Sequence, residues 1–391
     1  MKTIKDIAGQ LDGKRVLMRV DFNVALDKET GEITNDLRIR RAIPTISYAL
    51  EHGAAVILMS HLGRPGGEPN AALSMDKVAE RLGQLLEKPV AFAGDCIGEK
   101  AQQKAEVLEA GDVLVLENLR FHAGEKGNDP EFAGQLAALA DVYVNDAFGT
   151  AHRAHASTAG VPAHLPSCAG LLIEKELNNL SKATSDPDHP YVAIMGGAKV
   201  SDKIEAIRNL LKRADTLLVG GAMAYTFLKQ QGVNIGESMV EEDKLELAGA
   251  LLEEYPDKIM LPVDHVVAAE ISADAEAQTC GQDIPEGLIG LDIGPNTVNQ
   301  YAAEIAEAAL VTWNGPMGYF EIDQFAEGTN AIARALADCG GMTIVGGGET
   351  AESVEKMGLQ EDVSHVSTGG GACLDLLAGK ELPGIVALDK E

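Results

Sequence analysis

The chain has 391 residues, 46% of them hydrophobic and 24% charged, an ordinary globular composition with more material than one core accommodates, so two domains are expected. Its 60 acidic and 32 basic side chains leave a formal net charge of −28, which argues against nucleic acid as the main ligand, because phosphate-backbone binding needs a positive face. No apolar run reaches the roughly 18–20 residues of a membrane helix. The N-terminal MKTIKDIAGQLDGKR lacks the apolar core of a secretory signal, and the five cysteines (Cys96, Cys168, Cys280, Cys339, Cys373) are scattered without a CxxC pair, so a reducing cytoplasm is the expected setting.

Along the chain, short aliphatic runs end in glycine or polar turns. VLMRV (16–20), AVILMS (55–60), VLVLEN (113–118) and VYVND (142–146) occupy the first half; VAIMGG (192–197), TLLVGG (216–221), ALVTWNG (309–315) and MTIVGGG (342–348) occupy the second. Unbroken apolar runs of this length suit strands buried on both faces. Helical patterns lie between them. Ile39, Ile43, Ile46 and Leu50 form one stripe, stopped at Gly53; Val78, Leu82 and Leu85 form another, with Ser74 as the expected cap; Ile204, Ile207 and Leu211 form a third, with Ser201 as the expected cap. Alternation of strands and helices predicts an α/β fold of two doubly wound, Rossmann-like parallel-sheet domains. The amphipathic LLIEKELNNL (171–180) followed by the polar, proline-bearing SKATSDPDHP (181–190) reads as a helix joining them, with a cleft between the two domains.

The two halves carry different chemistry. In the first, cationic residues follow predicted strands: Arg38 in NDLRIRRA, His61 and Arg64 in SHLGRPGG, Arg120 in LENLRFHAGE, and His152 and Arg153 in NDAFGTAHRAHAST. The carboxyl edge of an open α/β sheet is where ligands bind, and arginine forks match paired anionic oxygens. Screening confines charge effects to about 8 Å at physiological salt, so a local basic cluster attracts a small anion despite the overall charge. In the second half, MGGAKVSDK, VGGAMAYTF, VGGGETAES and STGGGACLD each run from a strand end through glycines toward a helix, the arrangement that cradles phosphate on backbone N–H groups. Lys199 and Lys203 stand around one such turn. The P-loop pattern and an early GxGxxG are both missing from the sequence, which disfavours a P-loop NTPase and an ordinary dinucleotide-dependent oxidoreductase. One half is therefore read as holding a small polyanion and the other a nucleotide, with transfer across a cleft.

RVLMRVDFNV, SHLGRP, LENLRFHAGE, NDAFGTAHRAHAST, GGAKVSDKI, LDIGPNT, WNGPMGYFE, GGGET and STGGGA occur in the order found in phosphoglycerate kinase, which the sequence resembles over essentially its whole length. The resemblance implies reversible, Mg²⁺-dependent phosphoryl transfer between 1,3-bisphosphoglycerate and ADP, giving 3-phosphoglycerate and ATP, by a monomeric, hinge-bending cytoplasmic enzyme. It implies a triose-acid domain over 1–170, a linker helix and hinge over 171–188, a nucleotide domain over 189–375, and a tail, 376–391, packing back on the first domain. Asp21, Phe22, Asn23, Arg38, His61, Leu62, Gly63, Arg64, Arg120, His152 and Arg153 are the implied triose-acid residues. Gly197, Ala198, Lys199, Lys203, Gly221, Asn314, Glu321, Gly347, Gly348, Glu349 and Thr350 are the implied nucleotide residues, with Glu349 reaching Mg²⁺; Arg38, Lys199 and Gly370 are the implied catalytic set. His155 reads as a packing or capping residue. Two positions leave the family pattern: Ala25 stands where proline is usual, and Glu349 where aspartate is usual. The rival reading is a non-catalytic nucleotide-binding regulatory protein on the same fold; it predicts loss of Arg38 or Lys199, and both are present.

Overall fold

A computed structural model describes residues 1–27 and 29–389. The chain forms two compact units, one comprising Met1–Leu177 together with the segment from Glu381, the other Asn178–Lys380. The helix Leu171–Thr184 carries the chain from the first into the second.

In the first unit the strands are β1 (Arg15–Arg19), β2 (Ala25–Leu26), β3 (Ile33–Asn35), β4 (Ala55–Met59), β5 (Ala91–Ala93), β6 (Val113–Leu116), β7 (Val142–Asn145) and β8 (Ser167–Ala169). Six of them make a parallel sheet in the order β5-β6-β4-β1-β7-β8, while β2 and β3 form a small antiparallel hairpin. The connection order reverses on either side of β1, the position at which open α/β sheets collect ligands. Every residue of β4 and β6 is buried, as unbroken aliphatic runs require when helices cover both faces. The helix Leu37–Glu51 turns Ile39, Ala42, Ile46 and Ala49 onto the core of β1 and β4.

The second unit contains β9 (Tyr191–Met195), β10 (Thr216–Val219), β11 (Ile259–Met260), β12 (Asp264–Ala268), β13 (Gln278–Gly281), β14 (Ile289–Ile293), β15 (Leu310–Asn314), β16 (Met342–Gly346) and β17 (His365–Val366). Its parallel sheet runs β11-β10-β9-β15-β16-β17 and reverses at β9; β13-β12-β14 form a separate antiparallel sheet. Trp313, Tyr301, Ile332 and Leu336 fill the core beneath β15.

Both serine caps expected from the sequence are placed differently. Helix Asp76–Leu86 has Met75 at its N-cap; the Ser74 hydroxyl donates to Glu117 Oε2 at 2.8 Å while its oxygen accepts the Asp76 N–H at a long 3.4 Å. Helix Ile204–Leu211 begins after Lys203, and Ser201 binds the Glu241 carboxylate through its hydroxyl and its backbone N–H. In each case a carboxylate from a neighbouring segment accepts from the serine hydroxyl and an adjacent backbone N–H, and such charge-assisted bonds are worth about twice neutral ones.

The segment from Glu381 returns to the first unit beside the loop after β7. The Gly384 N–H donates to Ala151 O at 2.8 Å, and Asn145 Nδ2 donates to Gly384 O at 3.2 Å.

Candidate active site

In the first unit the basic residues converge at the carboxyl ends of the central strands. After β1, Asp21 accepts from Arg38 at 2.5 Å, and Asn23 Oδ1 accepts from the Gly63 N–H at 2.8 Å. Arg38 sits in the first turn of helix Leu37–Glu51, not on a loop of the main sheet, and reaches back to that edge. After β4 come His61, buried, and Arg64, exposed, whose guanidinium has no protein partner among the described residues. After β6, Arg120 Nη1 donates to Gly63 O at 2.8 Å. After β7, Arg153 Nε donates to His152 Nε2 at 3.2 Å. Arg64, Arg120, His122 and Arg153 line one pocket of about 510 Å³. Burial, reinforced by Arg153 and Arg19, brings the Arg120 pKa down to about 10, so it stays charged at neutral pH. Burial, then the Arg19, Arg120, Arg153 and Arg38 charges, hold His61 well below the usual histidine value, so it is neutral.

Arg19 is a member of this cluster that the sequence reading did not single out. It is fully buried in β1, where its Nε donates to Ser157 Oγ at 3.0 Å and its Nη2 lies 3.1 Å from His61 Nδ1. Guanidinium only donates, so His61 Nδ1 is the acceptor and the ring proton sits on Nε2. Ser157 in turn donates to Glu125 Oε1 at 2.7 Å, linking the Arg19 charge to a buried carboxylate. An arginine inside the aliphatic run VLMRV was the available signal. His155 is buried, with Nδ1 3.5 Å from Glu125. The Phe22 and Leu62 side chains are buried, so they face the core and leave only their backbones for a ligand.

In the second unit the loops after β9, β10, β15 and β16 are knitted together mainly by backbone. Gly197 N–H donates to Pro316 O at 2.9 Å, Gly221 N–H to Met317 O at 2.9 Å, and Gly315 N–H to Thr350 Oγ1 at 2.7 Å. Gly221 has φ +64, and a Cβ there would lie 2.5 Å from the Gly197 backbone, so this packing requires glycine. Lys203 Nζ donates to Gly196 O at 2.7 Å, Asn314 Oδ1 at 3.0 Å and Asn314 O at 3.1 Å. Burial brings its pKa down to about 8, against the opposing pull of Glu349 and Asp202. Lys199, four residues earlier, is exposed in an irregular turn, so the two lysines differ in environment despite their spacing. Asn314 is buried, and its Nδ2 donor, beside Gly346 and Gly347, has no acceptor among the described residues.

Gly347 is the N-cap of helix Gly348–Lys356, which places Gly348 and Glu349 in the first turn and buries Thr350. The Glu349 carboxylate is exposed and makes no hydrogen bond or ion pair among the described residues. A free carboxylate fits a hard cation such as Mg²⁺. Gly370 precedes helix Gly371–Leu377 with φ +48. Ala198 and Glu321 are exposed.

The phosphoglycerate kinase family model matches residues 4–380. The chain is 55% identical to the phosphoglycerate kinase of Chlorobium limicola, covering 99% of each chain, and 57% identical to that of Solibacter usitatus, also covering 99% of each. Among solved structures it is similar to phosphoglycerate kinase from Coxiella burnetii, with 43% identity and a TM-score of 0.88 over 99% of this chain and 98% of that one. The corresponding enzyme of Pyrococcus horikoshii OT3 gives the same TM-score and coverage at 33% identity.

The chain belongs to the phosphoglycerate kinase family.

As a member of the phosphoglycerate kinase family it is a transferase of glycolysis, and the doubly wound architecture expected from its strand pattern is the one its solved relatives share. Its two departures from the phosphoglycerate kinase pattern fall in different settings. Ala25 opens the β2–β3 hairpin, paired with Asn35. Glu349 lies at a helix N-terminus among the glycine loops. Among the described residues no helix is long and apolar enough to cross a membrane.

Proposed function

We propose that the chain catalyses reversible phosphoryl transfer between 1,3-bisphosphoglycerate and ADP, with the first unit holding the triose acid and the second the nucleotide. The observation that carries this reading is the division of positive potential. Arginines gather at the switch point of one sheet, and glycine backbone with a half-buried lysine at that of the other.

In this reading Arg64, Arg120, Arg153 and His152 bind the 3-phosphate and carboxyl, with Asn23 and the backbones of Phe22, Leu62 and Gly63 shaping the pocket. Neutral His61 presents its Nε2–H as a fixed donor. Arg38, oriented by Asp21, steadies the phosphoryl group in transit together with Lys199 and the N–H groups that follow Gly370. Asn314 Nδ2, Lys203, Thr350 and the glycines at 197, 221, 347 and 348 receive the nucleotide, with Ala198 and Glu321 at its margin. Glu349 would hold Mg²⁺, which when bound supplies charge neutralisation on the phosphate oxygens.

No general base is required. The nucleophile is a phosphate oxygen in one direction and a carboxylate in the other, and a carboxylic acid with a pKa near 4 is ionised at neutral pH. The obstacle is repulsion between anions: two unit charges 4 Å apart repel by about 4 kcal/mol at an effective dielectric of 20. Preorganised cations and backbone dipoles offset that repulsion. Because the two ligand sets belong to different units, closure of the hinge around both substrates would exclude the water that otherwise hydrolyses the acyl phosphate. We infer a cytoplasmic monomer.

A coupled assay with ADP, 1,3-bisphosphoglycerate and Mg²⁺ tests the reading. Turnover that depends on all three supports it, and nucleotide binding without turnover would favour the regulatory alternative. Small-angle scattering of the free, singly and doubly liganded protein tests closure: the radius of gyration should fall most with both ligands bound, and an unchanged value across all states would remove the hinge from the mechanism.

A further inference from the structure

At the edge of the first sheet, bordering the arginine-lined pocket that His122 also lines, three residues with different donor atoms meet. Asp95 and Cys96 follow β5, and His122 follows β6; these strands are paired neighbours, with Ala93 opposite Leu116, so their carboxyl-end loops lie side by side. The ligand atoms of Asp95, Cys96 and His122 all lie within 4.8 Å of one another. His122 Nε2 is 2.7 Å from Asp95 Oδ1, which also accepts the Cys96 N–H at 2.7 Å. The His122 ring packs against Phe132, with centroids 5.4 Å apart. Cys96 is fully buried, whereas the His122 and Asp95 side chains are 31% and 38% exposed.

We propose that Asp95, Cys96 and His122 form a binding site for a borderline divalent transition ion of the Zn²⁺ class. The donor set, one thiolate sulfur, one imidazole nitrogen and one carboxylate oxygen, selects such an ion over Mg²⁺, which prefers oxygen throughout. Zn²⁺ takes four ligands in a tetrahedron, and three protein donors leave one position for water. Bonds of about 2.0–2.3 Å place tetrahedral ligand atoms roughly 3.3–3.5 Å apart, so the thiol closes in by up to about 1.3 Å and the His122–Asp95 pair, now at 2.7 Å, opens by about 0.6 Å to complete the site. Burial first, then the Asp95, Glu125 and Glu117 charges, push the Cys96 thiol well above its usual value, so the metal must displace a firmly held proton. Binding breaks the Cys96 S–H bond and forms the sulfur–metal bond, with the proton released to solvent. The His122 nitrogen now bonded to Asp95 gives its lone pair to the metal, and the ring proton moves to the other nitrogen.

The test is Co²⁺ titration of the full-length protein, followed by Zn²⁺ displacement. Wild type should bind one Co²⁺ per chain with a thiolate-to-cobalt charge-transfer band that Zn²⁺ removes and excess Mg²⁺ does not. Cys96→Ser should abolish the band. His122→Gln and Asp95→Asn should weaken binding by about tenfold or more; both alter partly exposed side chains, so they serve even if the buried serine destabilises the chain. Cys280→Ser/Cys339→Ser, which removes the half-buried thiols, should leave the band intact. The proposal is overturned by a wild type that gives no band, by a band surviving Cys96→Ser or lost with Cys280 and Cys339, by unweakened binding in His122→Gln, or by Mg²⁺ displacing Co²⁺ as readily as Zn²⁺.

Discussion

At the switch point of the first sheet the positive groups are side chains; at that of the second they are largely backbone. Arg19, Arg38, Arg120 and Arg153 all lie near enough to His61 to add to the effect of burial in lowering its pKa, and each has a partner to hold it: Asp21 for Arg38, Ser157 and through it Glu125 for Arg19, Gly63 O for Arg120, His152 for Arg153. The second sheet uses glycine turns, the N-terminal turn of helix Gly348–Lys356 and a half-buried cation, Lys203. The contrast explains the choice of residue. Burial and neighbouring charge bring Arg120 only to about 10, while burial brings Lys203 to about 8, close to losing its proton. A crowded cluster that must stay charged at neutral pH therefore calls for guanidinium, whereas an isolated lysine among carbonyls is tolerable.

The strongest way to break this comparison is Arg38→Ala. If Arg38 meets the transferring group, kcat falls by at least about two orders of magnitude, as when a transition-state donor is removed. A change confined to KM would make it a binding residue and would level the two sheets. Gly221→Ala attacks the backbone side. Its Cβ would fall 2.5 Å from the Gly197 backbone at a positive φ, so stability should drop by about 2–3 kcal/mol in thermal or urea unfolding. A variant as stable as wild type would show that the loops have slack.

The Lys203 pKa sharpens the contrast through pH. Its folded value of about 8 lies below the ordinary 10.5, so the folded state releases this proton before the unfolded state does. Its contribution to stability is therefore least favourable below pH 8 and rises with pH between about 8 and 10.5. Nucleotide binding runs the other way. A phosphate favours the charged amine, so affinity measured by calorimetry should weaken above about pH 8, by up to about tenfold per pH unit. Lys203→Met should flatten that profile. Triose-acid affinity, resting on arginine, should show no such inflection near pH 8. Glu349→Gln carries the smallest effect. The apparent Mg²⁺ requirement should rise several-fold while the ligand-free melting temperature barely moves; a lower melting temperature with unchanged Mg²⁺ dependence would make Glu349 a helix cap only.

The eight strands read from aliphatic runs are all present, because a strand buried on both faces leaves an uninterrupted apolar signature. Strands β5 and β8 have only three residues each, too few to show a period, and β13 is mostly exposed, so the edges and the antiparallel sheet were not legible. The site was legible in its residue types but not in their environments. Spacing treats Lys199 and Lys203 as a pair, yet one is exposed and the other is half-buried with its amine bonded to carbonyls. Arg19 hid inside a strand because side-chain partners such as Ser157 and His61 lie far from it in the chain. The Asn314 amide without an acceptor is a property of packing that no single position reveals.

The return of the segment after Glu381 to the loop beyond β7 makes the second unit an insertion in the first. On the ribosome the inserted unit has its whole sequence available before the outer one does. Through that interval Asn145 and Ala151 lack their Gly384 partners, while the following loop already carries Arg153. The half begun first is thus completed last, and its arginine-bearing loop gains its final support only when synthesis has passed Gly384.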